Sequence, residues 1–131
     1  MQFHEFLGQV QNRGRLSSLG DAETATRATL TTLRERLAGG EPKDLASQLT
    51  DSIARYLEAP GQEEPDRFSL DEFYQRVSQR AGVDGSTARF QSHAVMSVLD
   101  DAVTTGEIQD IREQLPDEFG TLFQFEPPKR G

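Results

Sequence analysis

The chain of 131 residues has no cysteine and no tryptophan, and only two histidines. Without thiols there can be no disulfide, no thiolate nucleophile and no cysteine-bound zinc. His4 and His93 have no second histidine at ligand spacing, so they offer neither a metal centre nor a serine–histidine–aspartate arrangement. No run of about eighteen apolar residues is present, so a membrane span is not expected. The first residues lack the basic and then apolar segments of a secretory signal, and a cytoplasmic location is the expectation. Strand-type alternation of apolar and polar residues is also missing.

Acid is plentiful. Twenty-two Asp and Glu face fourteen Lys and Arg, for a net charge of −8. Through Leu57 the two signs balance at seven each, so the whole excess falls in the second half, with fifteen acidic against seven basic residues. Such a surface repels phosphate backbones and argues against nucleic-acid binding. Only Lys43 and Lys129 stand beside twelve arginines, a balance that fits either salt adaptation or a GC-rich genome.

The chain repeats itself. Gly40, Glu41, Asp44, Gln48 and Leu49 recur as Gly106, Glu107, Asp110, Gln114 and Leu115 at one constant offset. Around this stretch both halves show the same succession of helical patterns. Phe3, Phe6, Leu7 and Val10 form one stripe at helical spacing, and Leu70, Phe73, Tyr74 and Val77 form another. Ser69 and Glu72 have capping-box spacing, with Phe68 placed to staple onto Phe73. A long helix follows in each half, over about residues 21–38 and 86–104. The second has the wider apolar arc, from Val95 to Val103, and is expected at the centre. Gly39, Gly40 and Gly106 are expected to end these helices as C′ residues. Glu41 and Glu107 then sit in the first turn of a third, short helix, where carboxylates suit the positive helix end. A fourth short helix carries Ile53, Tyr56 and Leu57 in one half, and Phe119, Leu122 and Phe123 in the other.

The expected fold is all-α: two tandem four-helix repeats packed into one bundle-like domain about a pseudo-twofold axis. The first repeat covers residues 1–57 and the second 68–123. Residues 58–67 form a polar linker and 124–131 a frayed tail in which Phe125 can tuck back. Each half is too small to hold a full core, so the two should bury each other.

The ordered set of Glu5-Phe6, the helix through Leu33 to Glu41, and the Asp44–Leu49 stretch, repeated as Glu72-Phe73, Leu99 to Glu107 and Asp110 to Pro116, resembles one family. This is the prokaryotic family catalogued as domain of unknown function 2267. The resemblance covers about residues 2–123, and Thr50 departs from a pattern that prefers proline there. It implies a helical fold and a cytoplasmic setting, with no catalytic residue or cofactor attached.

The remaining candidates are polar. Asp44 with Gln48, and Asp110 with Gln114, could line a cleft between the repeats as a ligand or acid–base site. Alternatively each pair could hydrogen-bond within its own helix and to neighbouring backbone. Asp100-Asp101 and Glu63-Glu64 lack the spacing of a calcium loop and read as solvated surface. No Gly-rich phosphate loop is present, because the Lys-Ser/Thr that would follow Gly39-Gly40 is missing. The preferred expectation is therefore a non-enzymatic helical interaction module without a cofactor, engaging a protein partner or a second copy of itself. Arg27, Arg34 and Arg36 are its candidate interface. The alternative is a small-ligand binder or enzyme using an inter-repeat cleft.

Overall fold

The helices that follow Ser18, Ser69, Asp84 and Thr104 start where a short polar side chain takes up a backbone N–H group that the first turn leaves unpaired. The computed structural model describes residues 1–37, 39–58 and 65–125. Helix α1 (Phe3–Arg13) begins with the Gln2 N–H donating to the Glu5 carboxylate at 3.3 Å. Helix α2 (Leu19–Arg36) begins at Ser18, whose hydroxyl accepts the Asp21 N–H at 3.0 Å. Two short helices come next, α3 (Glu41–Ala46) and α4 (Asp51–Ala54), the latter running into a 3-10 turn at Arg55–Leu57.

Among the described residues, the second half has three further α-helices and a closing 3-10 helix. Helix α5 (Leu70–Ala81) starts at Ser69, whose hydroxyl accepts the Glu72 N–H at 3.2 Å, with the Phe68 and Phe73 ring centroids 6.4 Å apart. The staple and half of the capping box are thus present. The Glu72 carboxylate is taken by Arg76 instead. Helix α6 (Gly85–Ala102) is capped by Asp84 and α7 (Thr105–Gln114) by Thr104. A closing 3-10 helix spans Asp117–Phe123. Among the described residues there is no strand, and the fold is all-α.

The expected glycine stops are corrected. Helices α2 and α6 end in extended residues, Leu37 and Val103, and Gly106 lies in the first turn of α7. An extended residue turns the chain toward the next helix; between α2 and α3 the expected glycine still serves, two residues later, with Gly39 left-handed at φ 61°. The left-handed cap is Gly82, after α5, at φ 69°. Its N–H and that of Val83 both donate to the Ser78 carbonyl, so only a residue that tolerates positive φ closes this turn cheaply.

The centre is shared rather than held by α6 alone. Helix α2 packs against α1, α5, α6 and the 3-10 turn, while α6 packs against α1, α2, α5 and the closing helix. The face that lets α2 do this is made of threonine. Thr26, Thr29 and Thr32 are each 0% exposed, and the hydroxyls of Thr26 and Thr32 donate to the carbonyls of Ala22 and Ala28 at 2.8 Å. A hydroxyl folded back on its own helix stays paired inside the core, and that of Thr32 also accepts from Arg80 of α5 at 2.8 Å. One core joins both halves, with Phe6, Leu30 and Leu33 in the same cluster as Phe73, Met96, Leu99, Ile111 and Phe119.

The expected linker is visible only at its ends, because residues 59–64 lie outside the described residues, as do 126–131 of the tail. Asp66 is anchored: its N–H donates to the Glu35 carbonyl at 2.9 Å and its carboxylate pairs with Arg76 at 2.9 Å. Glu35 also receives Arg80 at 2.6 Å, which joins α2 to α5. Phe125 stands 6.2 Å from Phe90, ring to ring.

Arg36 needs a second correction. It is 8% exposed, its Nε donates to the Phe68 carbonyl at 3.0 Å, and its guanidinium lies over the Phe119 ring at 5.2 Å. It is spent on fastening α2 to the second half and cannot meet a partner. Arg27, by contrast, is exposed. Arg36→Ala is expected to cost about 2 kcal/mol in urea unfolding, since the buried Phe68 carbonyl loses its donor. Arg27→Ala should stay within roughly 0.5 kcal/mol.

Candidate functional site

Helices α3 and α7 pack side by side, and the residues written in both halves meet there. Thr104 caps α7 by accepting the Glu107 N–H at 3.2 Å. In an ordinary capping box the glutamate three residues on would reach back for the cap residue's own N–H. Here that N–H is already taken, because the Thr104 N–H donates to Gln48 Oε1 at 2.8 Å across the junction. The Glu107 carboxylate is left free to turn inward toward Glu41, the residue at the equivalent place in the first half. From the other side, Gln114 Nε2 donates to Glu41 Oε2 at 3.1 Å.

The result is two carboxyl groups brought together. Glu107 is 8% exposed and Glu41 is half-buried. Glu41 Oε1 and Glu107 Oε1 are both shielded from solvent and have no donor among the described residues. Oxygens of Glu41, Glu107 and Asp110 all lie within 4.8 Å of one another. Burial first, then the hydrogen bond and charge of Glu107, then Asp110 and Asp44, push the Glu41 carboxyl up to about 7. Two like charges at this separation repel, which opposes ionisation of Glu41. Both glutamates do lie in the first turn of their helices, as expected, and each also faces the other's carboxylate. A helix end contributes a few tenths of a kcal/mol at the surface, less than a facing carboxylate imposes at this range.

Of the four residues expected to line an inter-repeat cleft, Gln48 is tied to backbone and Gln114 to Glu41. Asp110 stands at the mouth of the glutamate pair, and Asp44 is exposed nearby. The two glutamines are not confined to bonds within their own helices, because both reach into the opposite half. The glutamate pair itself was visible in sequence only as a residue recurring at a helix start, with nothing to say that the two copies face each other.

A second feature lies on the second half alone. A surface depression of about 370 Å³ is lined by Arg89, Phe90 and His93 of α6, with Thr121 and Phe125 from the closing segment. His93 Nε2 and the Tyr74 hydroxyl are 2.7 Å apart. Burial, and then the charge of Arg89, hold the imidazole below its ordinary range, while burial raises the Tyr74 phenol. Both shifts favour the neutral forms, and the two groups share one hydrogen bond whose direction the imidazole tautomer sets. Asp101, of the acidic pair on α6, is engaged by Arg13 at 2.5 Å. Glu63 and Glu64 lie outside the described residues. No described helix is long and apolar enough to cross a membrane.

These features define an all-helical domain with a single core, whose halves are clasped by side chains carried in both. The chain belongs to the family described as an uncharacterized conserved protein, DUF2267, whose model matches residues 3–122. No curated protein compared with the chain matches it.

The raised Glu41 pKa gives the site a definite pH dependence. In the unfolded chain Glu41 titrates near its ordinary value of 4.5. Its folded-state contribution is therefore complete below that pH and is lost as pH rises through about 7. In EDTA-containing buffer, Glu107→Gln should match the wild type in thermal stability at acid pH. At mildly alkaline pH it should exceed it by roughly 4 °C, because an amide can donate to the Glu41 carboxylate.

Proposed function

We propose that the chain is a non-enzymatic helical interaction module that engages an oppositely charged protein surface, a second copy of itself being the simplest such partner. The observation that carries this reading is the fate of the residues written twice. Gln48 and Gln114 reach across the junction to a backbone N–H and to a carboxylate, which supports a role in holding the domain shut. The charge distribution supports the choice of partner: the first half is neutral overall and the second strongly acidic. On α2, Arg27 is exposed and Arg34 half-buried, seven residues apart and so on one helix face. Sedimentation or light scattering across salt concentrations tests the reading. Mass above the monomer is expected at low salt, falling with added salt and abolished by Arg27→Glu with Arg34→Glu. A sharp monomer at low salt would reject self-association.

A second reading, a small-ligand binder, is favoured by the depression beside His93, where a guanidinium, an imidazole and two phenyl rings converge. The groups suit a small carboxylate on a flat apolar body. Ligand-observed NMR with benzoate should then show broadening that Arg89→Ala removes. An unchanged benzoate spectrum would dismiss this reading.

A further inference from the structure

We propose that Glu41, Glu107 and Asp110 form a binding site for one calcium-sized divalent cation at the junction of α3 and α7. The three carboxylates come from helices that belong to different halves, and their oxygens lie within 4.8 Å of one another. Calcium holds oxygen ligands at roughly 2.4 Å, so opposite ligands stand up to about 4.8 Å apart and the existing spacing accepts the ion. Magnesium, with oxygens at about 2.1 Å, would require the three to draw together.

Clustered acid alone would not point to a ligand, and the independent observation is Glu107. It is more than nine-tenths buried, and its Oε1 is shielded from solvent without a donor. An acceptor in that condition needs something positive to face. Glu41 Oε1 shares the condition, while Gln114 holds the other Glu41 oxygen and so orients the carboxylate. Asp110 is exposed, which gives the site an outer ligand and a path of entry. Waters would complete the coordination, as is usual when protein oxygens number fewer than six. The positive ends of α3 and α7 oppose a cation, but together they amount to about one unit of charge against three carboxylates. The balance stays negative.

A cation here would bridge the two halves at the place where their charges repel, so binding should raise stability. This goes beyond the interaction reading, and its readouts do not depend on oligomeric state. The test is calorimetric titration of the full-length chain, stripped with EDTA, with calcium chloride, alongside thermal melts. Wild type should take up one calcium per chain with a rise in melting temperature. Glu107→Gln and Asp110→Asn should each weaken binding by roughly tenfold or more. Asp110→Asn alters an exposed residue and keeps the test informative if Glu107→Gln disturbs the fold. Glu113→Gln, which removes an equal charge from the same helix, should leave binding unchanged. The proposal is overturned if calcium gives no saturable heat and no thermal shift at millimolar concentration. It is equally overturned if Glu113→Gln weakens binding as much as the other two, since diffuse acidic surface would then account for it.

Discussion

Helix α2 is covered on several sides at once, by α1, by α5 and by α6, and the rest of the fold depends on that. A helix buried over so much of its circumference has little room for polar groups. The chain meets the demand with leucine and alanine on one side and with threonines on another. Two of those threonines turn their hydroxyls onto their own backbone, and that of Thr32 also accepts a hydrogen bond from Arg80 of α5. Small side chains let α5 come close, and that closeness draws in the charged rim. Glu35 receives both Arg76 and Arg80, and Arg36 passes under Phe68 to its carbonyl. Burial alone would push the Glu35 carboxyl up, but the arginines outweigh it and hold the carboxyl below its ordinary value.

The second junction, α3 against α7, is built on the opposite principle. Here the chain places like charges together and surrounds them with amides. Gln48 displaces Glu107 from the capping role that its position in the helix would ordinarily give it. The displaced carboxylate then faces Glu41. An arrangement that gives up a local helix-end interaction to create a repulsive pair makes the junction sensitive to whatever neutralises the pair, proton or cation. The two junctions therefore differ in kind: the one at α2 is held by apolar burial and opposite charges, whereas the one at α3 and α7 depends on what occupies its acid.

Much of the helical framework was legible in the chain itself. Helix starts could be read because caps are local: Ser69 with Glu72, and Phe68 with Phe73, act within one turn. Apolar stripes could be read because period 3.6 is a property of a single helix, as in Phe6, Leu7 and Val10. Helix ends were read less well. The stop at Gly106 failed because the position of α7 settles how the chain leaves α6, and an extended Val103 makes that turn without a left-handed residue. The buried face of α2 was hidden for a related reason. Threonine counts as polar in any pattern, and only a neighbouring helix reveals that its hydroxyl has been turned away.

Sequence by itself therefore determined the all-α class, the order of the elements, most helix starts and the membership of the apolar core. These depend on contacts within a turn or two, or on the summed burial of residues that have nowhere else to go. Tertiary structure alone decided that Arg36 is a buried fastener while Arg27 is exposed, and that Gln48 and Gln114 cross to the opposite half. It also decided that Glu41 and Glu107 confront each other. Each of these is a pairing between residues some thirty to seventy positions apart. Such a pairing depends on how helices are laid against one another, and the pattern along any single helix carries no record of that.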